Sequence, residues 1–132
     1  MKLTYPAYFY PCEELTGGYT VVIPDLRGCV TQGKTLADAI IMAEDAASGW
    51  VLDELEEGND VPAASSISNL DAEEGGFTTI IVIDIDSYAA KYGSKAVHKN
   101  LTIPAWLNTK AEALNINFSQ VFREALEERV GV

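Results

Sequence analysis

The stretch that decides the fold is Val97-His98-Lys99-Asn100-Leu101-Thr102-Ile103-Pro104. Apolar and polar side chains alternate along it with a period of two, which is the pattern of a strand with one buried face. The apolar face carries Val97, Leu101 and Ile103, and the polar face carries His98, Asn100 and Thr102. We therefore predict a half-buried strand that ends at Pro104.

Two helices are predicted after this strand. Pro104 suits the first position of a helix, and residues 115–117 interrupt that helix. A second helix is predicted over residues 118–130, with Asn117 and Gln120 as a capping-box pair. The apolar residues of the two helices are Leu107, Ala111 and Leu114 in the first and Val121, Phe122, Ala125 and Leu126 in the second.

This strand and its two helices are too short to enclose a core, because domains below about 40 residues usually need a metal, disulfides or association. A lone strand also leaves its backbone hydrogen bonds unmade. We therefore predict a two-fold dimer in which two strands form an antiparallel ribbon over four helices. An ordinary edge strand would show the same alternation, but the two-helix pattern favours the ribbon. The predicted dimer core is Leu101, Ile103, Leu107, Leu114, Phe122 and Leu126.

A two-stranded ribbon fits the major groove of DNA. The outward side chains His98, Asn100 and Thr102 would then face base edges, where asparagine can pair with adenine and threonine can contact thymine. An exposed histidine is an ordinary surface residue about as often as it is a functional one, so the role of His98 depends on the ribbon. The predicted phosphate contacts are Lys95 and the start of the second helix at Asn117, Phe118 and Ser119.

The upstream residues predict an antiparallel sheet with one helix packed on it. The helix begins at Thr35, has Asp38 in its first turn and ends at Gly58. Residues 58–76 are predicted to form a polar loop, and residues 87–92 are predicted to form a helical turn. The predicted strands cover residues 3–10, 19–23, 29–33 and 77–85. The last strand is apolar at nearly every position, so we expect it to be central and covered on both faces.

Charge divides the chain into two parts. The 132 residues carry a net charge of −11. Residues 1–86 hold 3 basic and 16 acidic side chains, a balance of −13, whereas residues 87–132 hold 6 basic and 4 acidic side chains, a balance of +2. The first part would repel nucleic acid and attract a basic protein. The second part could approach phosphates.

Several classes of protein are excluded. The length allows one domain or two small ones, not a large multidomain enzyme. Apolar runs fall short of the roughly 18 residues of a membrane span, and the N-terminus does not resemble a secretory signal, so we expect a cytoplasmic protein without a membrane partner. Cys12 and Cys29 suggest neither a zinc cluster nor a disulfide framework. Motifs for acyl or phosphoryl transfer are missing, so no enzyme activity and no cofactor are expected.

Two segments resemble known families. Lys99-Asn100-Leu101-Thr102-Ile103-Pro104, followed by two helices with Asn117-Phe118-Ser119 between them, resembles the ribbon-helix-helix repressors Arc and MetJ. Residues 18–33, which lead into Thr35-Leu36-Ala37-Asp38-Ala39 and Ala43, resemble the N-terminal domain of HicB antitoxins. Together the two resemblances cover nearly the whole chain.

The resemblance implies an α+β protein with three parts. Residues 1–92 would form a β-β-β-α-β, partial RNase H-like domain that binds a HicA toxin, a small basic ribonuclease that cleaves mRNA. Residues 93–96 would be a linker, and residues 97–132 a β-α-α ribbon-helix-helix domain that dimerises and represses the operon. Arginine often occupies groove-facing positions in such repressors, but threonine and histidine stand here. Tight binding would therefore need two or more ribbons, as in a dimer of dimers.

Two alternative functions remain open, as does the role of one acidic surface. A ribbon-helix-helix regulator without a toxin would use its N-terminal domain to sense a small molecule or to set the oligomeric state. A metal-dependent ribonuclease would need Asp84 and Asp86 to share one face of the central strand and one divalent ion, although acidic residues at strand ends are usually only solvated. The acidic helix residues Asp53, Glu54, Glu56 and Glu57 could mimic RNA charge or form an ordinary solvated face.

Overall fold

The computed structural model describes residues 1–14, 16–73, 75–93 and 95–131. The chain divides into two compact units, Met1–Ser94 and Lys95–Val132. The first unit contains a four-stranded sheet and two helices, and the second contains two helices. The elements are β1 (Lys2–Pro11), β2 (Tyr19–Val22), β3 (Val30–Gly33), α1 (Leu36–Glu56), a 3-10 turn (Ile67–Asn69), β4 (Phe77–Asp84), α2 (Ile85–Tyr92), α3 (Ala105–Ala113) and α4 (Phe118–Val130). The fold is thus mixed α+β.

The sheet is antiparallel, with the strand order β3-β2-β1-β4. The longest strand, β1, pairs with β2 on one side and with β4 on the other. The expectation that residues 77–85 form a central strand is therefore wrong, because β4 lies at an edge and ends at Asp84. Its alternate side chains are also exposed, so this chain covers only one of its faces.

The core of the first unit lies between the sheet and α1. Tyr5 and Phe9 of β1 are buried against Ile81 and Phe77, their neighbours on β4. The buried stripe of α1 is Ala39, Ala43, Ala47 and Val51, which recur every four residues. Since three of these four side chains are methyl groups, the helix backbone can approach the sheet closely. Both cysteines are free, and burial raises the pKa of the Cys29 thiol.

Capping residues define the limits of α1. The Thr35 side chain accepts a hydrogen bond of 3.1 Å from the backbone N–H of Asp38, as the sequence predicts. At the other end, Gly58 adopts a left-handed φ of 80° and its N–H bonds to the Leu55 carbonyl. Glycine suits this position because side chains disfavour positive φ. Both predicted helix signals are confirmed.

The loop between α1 and β4 is attached to the sheet at several points. The Tyr5 hydroxyl donates to the Pro62 carbonyl at 2.7 Å, and the Asp25 carboxylate accepts from both the N–H and the hydroxyl of Ser65. The N–H of Glu73 donates to the Tyr10 hydroxyl at 3.2 Å. These bonds hold the loop between its two ends, so the polar stretch of residues 58–73 has a defined path.

The second unit has helices but no buried side chain among residues 95–131. Pro104 is the N-cap of α3 and not its first helical residue, so the helix begins one position later than predicted, at Ala105. Residues 114–117 separate α3 from α4. No strand forms over residues 97–103 within the single chain. A strand needs a neighbour to accept its backbone hydrogen bonds, and in the predicted ribbon that neighbour would come from a second copy.

None of the helices in the described ranges is both long enough and apolar enough to cross a membrane.

Candidate interaction surfaces

The six predicted dimer-core residues lie on the surface of the second unit. Each is between 36% and 74% exposed. They are Leu101, Ile103, Leu107, Leu114, Phe122 and Leu126. Large apolar side chains rarely form a continuous exposed patch unless another surface covers it. The structure therefore leaves this unit without a core of its own and with an apolar face available for a partner.

Two grooves cross this apolar face. One has a volume of about 370 Å³ and the other about 210 Å³, and Leu101, Phe118 and Phe122 border both. Phe118 is predicted to contact a phosphate through its backbone N–H, and its side chain borders both grooves. Sequence reasoning also left Val121 out of the dimer core, although it borders the larger groove. The three-residue spacing between Phe118 and Val121 on α4 is the signal that could have placed both there.

The predicted base-facing residues form a separate, polar group. His98, Asn100 and Thr102 are exposed, and none of them hydrogen-bonds to another residue within the described part of the chain. Their donors and acceptors are therefore available to a ligand. Lys95 and Lys99 lie on the same segment and are also exposed.

The start of α4 has free backbone donors. The Asn117 side chain accepts from the Gln120 N–H at 3.1 Å, and the Val121 N–H bonds to the Asn117 carbonyl. The first N–H groups of a helix have no partner within it, so those of Phe118 and Ser119 remain available. Backbone donors and the positive end of the helix dipole together favour an anion at this position.

The cations of the second unit differ in their availability. Arg123 donates to Glu127 at 2.7 Å within α4, and the Lys110 ammonium lies 5.7 Å from the centre of the Trp106 ring. Lys95 and Lys99 form no ion pair with any residue that the structure describes. They are the cations of the segment before α3 that remain available for phosphates.

Asp84 and Asp86 do not form the carboxylate pair that a shared metal ion needs. Asp84 caps α2 by accepting from the N–H and hydroxyl of Ser87, at 3.2 Å and 3.1 Å. The backbone hydrogen bond from Ser87 is the main cause that lowers the pKa of Asp84. Asp86 lies in the first turn of α2, not on β4, and pairs with the amino group of Met1. Across the described ranges, no three metal-ligating side chains cluster.

The acidic residues near the end of α1 stay in contact with solvent. Asp53 and Glu57 are exposed, and Glu54 and Glu56 are partly so. Asp53 also borders a groove of about 360 Å³ together with Trp50 and Tyr88. Burial is the main cause that raises the pKa of Tyr88, and the carboxylates of Asp45 and Asp53 raise it further. This part of the surface thus combines aromatic rings with negative charge, which sequence reasoning did not foresee for Trp50 and Tyr88.

The chain thus combines an acidic sheet unit with a helical unit that has no core of its own. Residues 5–129 match the family model described as the HicB-like antitoxin of bacterial toxin-antitoxin systems. The class of protein is thus an antitoxin of a bacterial toxin-antitoxin system. The chain belongs to the HicB-like antitoxin family.

Individual relatives agree with this family. The chain is 31% identical over 96 residues to a 14.9 kDa protein from the rep-hol intergenic region of Haemophilus phage HP1, covering 72% of this chain and 71% of that protein. It is similar to a chain of a toxin-antitoxin complex from Streptococcus pneumoniae, with a TM-score of 0.62, 26% identity and coverage of 98% and 99% of the two chains. A chain of the HicA3 and HicB3 toxin-antitoxin complex matches 62% of this chain and 99% of its own length, with 25% identity and a TM-score of 0.52.

Proposed function

We propose that this antitoxin neutralises a HicA-type toxin, a small basic mRNA-cleaving ribonuclease, and represses its own operon by binding DNA. Residues 1–92 bind the toxin, residues 93–96 form a linker, and residues 97–132 dimerise and bind the operator. The observation that carries the proposal is the lack of any buried side chain among residues 95–131. Such a unit needs a second copy to cover its apolar face.

Toxin binding is supported by charge and by similarity. Residues 1–86 carry a balance of −13, which favours association with a basic protein. One similar chain comes from the HicA3 and HicB3 toxin-antitoxin complex. In this proposal the β-β-β-α-β unit is a partial RNase H-like fold that serves as a binding surface. The ribonuclease alternative lacks geometric support, because Asp84 caps a helix and Asp86 pairs with the N-terminus.

Dimerisation completes the second unit. Two copies of residues 97–103 form an antiparallel ribbon, and α3 and α4 of both chains cover it as in a ribbon-helix-helix domain. Pairing satisfies the backbone groups of both strands and buries the apolar face that includes Leu101 and Phe122. Since the same patch meets itself about a two-fold axis, the interface closes at two copies. A dimer of dimers then brings two ribbons to one operator.

DNA binding uses the polar side chains on the outer face of the ribbon. The side chains of His98, Asn100 and Thr102 point away from the apolar face in the two-residue alternation and enter the major groove. Lys95 and the N–H groups of Phe118 and Ser119 contact phosphates on either side. No cofactor takes part, and the chain acts by binding and not by catalysis.

Co-expression tests whether this chain neutralises a toxin. The probe is the basic protein of under about 100 residues that we expect a neighbouring reading frame to encode. Cells that express it alone should stop growing, cells that also express this chain should grow, and the two proteins should co-purify. Growth arrest that this chain does not relieve, or purification of this chain without the basic protein, would refute the toxin assignment and favour a regulator without a toxin.

DNA binding is tested separately with the full chain. A fluorescent duplex that carries the chain's own upstream region is titrated and compared with a duplex of scrambled sequence at the same salt concentration, because phosphate contacts make both affinities depend on salt. We expect tighter binding to the upstream region. Equal affinity for the two duplexes would refute sequence-specific repression without affecting the toxin assignment.

A further inference from the structure

The edge strand β4 has the composition of an interior strand. From Ile80 to Ile83 every residue is a β-branched aliphatic, and such runs are typical of strands that are covered on both faces. In the single chain β4 pairs with β1 alone. Ile80 and Val82 are 42% and 51% exposed, whereas Ile81 and Ile83 are buried against the core. The exposed face of β4 is thus suited to apolar contacts that this chain does not supply.

The outer side of β4 also offers backbone hydrogen bonds. Within the described residues, the backbone of residues 77–83 bonds only to β1. Natural edge strands are usually protected by lysine, proline, a bulge or short length. This strand has eight residues and carries neither lysine nor proline. The opposite edge, β3, has four residues and therefore offers a much shorter row of backbone groups.

Charge decides between a second copy of this chain and a different partner. An antiparallel pair of two β4 strands would bring Asp84 of one chain towards the acidic segment that precedes β4 in the other, which contains Asp71 and Glu73. The same repulsion would occur at both ends of the pair. Each first unit also carries a balance of −13, which opposes their association. A strand with an apolar centre and basic ends avoids both penalties.

We propose that the outer edge of β4 accepts an added strand from a basic protein partner, with apolar side chains beside Ile80 and Val82 and cations near Asp71, Glu73 and Asp84. Main-chain hydrogen bonds provide affinity in this mode of recognition, and alternate side chains provide specificity. The inference rests on the proposed function, since the partner of this chemistry is the HicA-type toxin. It names the surface of the first unit that the toxin occupies.

Two matched variants test the surface. Val82→Lys places a cation on β4, where it opposes both strand addition and a basic partner. Val30→Lys makes the same change on β3, where the valine is 57% exposed. Both full-length variants should give the circular dichroism spectrum and thermal midpoint of the wild type. The probe is the toxin that co-purifies with the wild-type chain. We expect Val82→Lys to weaken its binding by about tenfold or more, and Val30→Lys to change it by less than about twofold.

Hydrogen exchange of the wild-type chain gives a second measurement that needs no variant. Adding the toxin should slow exchange of backbone amides in residues 77–84 and leave those in residues 30–33 unchanged. Equal effects of the two lysine variants, or no added protection of β4, would overturn the inference. In that case toxin capture by the wild type would still support the proposed function. Failure of the wild type to capture the toxin would overturn both. Protection of β4 that grows with the concentration of this chain alone would assign the edge to a second copy and also overturn the inference.

Discussion

Replacement of Leu101 by alanine should weaken the dimer without unfolding the first unit. Leu101 borders both grooves of the apolar face and is 65% exposed in the single chain. In the proposed ribbon this exposed surface becomes buried in both copies. The substitution therefore removes apolar contact twice from each dimer.

The expected magnitude follows from that exposure. Alanine lacks three carbon atoms of leucine, each worth about 0.8 kcal/mol when it leaves water. Because Leu101 is already partly covered, with 65% exposed, dimerisation gains about 1.5 kcal/mol per copy from these atoms. Two symmetric copies lose about 3 kcal/mol, which raises the dissociation constant of the dimer about 150-fold.

Sedimentation equilibrium over a dilution series of the full chain measures this constant. The control is Leu36→Ala, which truncates a leucine that is 42% exposed in the first unit, outside the proposed interface. Leu36→Ala should leave the dimer within about twofold of the wild type. A wild-type chain that is a folded monomer at micromolar concentration, or a Leu101→Ala dimer as tight as the wild type, would refute the ribbon and with it the proposed mode of DNA binding.

Three other substitutions test separate parts of the structure. Asn100→Ala should lose about 1–3 kcal/mol of preference for the operator over scrambled DNA, with an unchanged thermal midpoint; an unchanged preference would exclude Asn100 from base contacts. Gly33→Ala should destabilise the first unit by about 3 kcal/mol in urea unfolding, because a β-carbon would lie 2.5 Å from the Ala39 Cα; a wild-type midpoint would contradict that packing. Asp84→Asn should lower the thermal midpoint at pH 7. The difference should shrink as the pH falls below the ordinary carboxyl pKa of 3.8 and vanish below the lowered pKa of the folded protein, since a depressed pKa stabilises the fold only while the group is ionised; a difference that is constant with pH would show that the charge of Asp84 does not stabilise the fold.

Local signals in the sequence identified the starts of α1 and α4 correctly. Thr35 and Asn117 each accept the backbone hydrogen bond that a capping residue accepts, from Asp38 and Gln120 respectively. Such bonds join residues three positions apart, so the sequence contains both partners. The antiparallel pairing of β1 with β2 was predictable for a similar reason, because a short polar loop joins the two strands.

The position of β4 was not predictable in the same way. Its apolar run indicates that both faces of the strand are to be covered, but it does not indicate which chain covers them. The alternative in which Asp84 and Asp86 share one strand face failed for a related reason. Asp84 ends the strand and caps a helix, so Asp86 lies in the first turn of α2 and leaves the two-residue alternation that was assumed for it. Where this strand ends depends on pairing with β1, whose partner residues lie 68 to 82 positions earlier in the sequence.

The two uncovered apolar surfaces call for different partners because their charges differ. The second unit lies in the part of the chain with a balance of +2, so two copies can meet across the face around Leu101 with little repulsion and remain able to approach phosphates. The first unit lies in the part with a balance of −13, so a second copy is repelled from the β4 edge and a basic protein is attracted. Raising the salt concentration should therefore weaken toxin capture while leaving the apolar dimer largely intact, since screening acts on charge and not on apolar burial. A dimer that dissociated in high salt while toxin capture persisted would reverse this assignment of partners to surfaces.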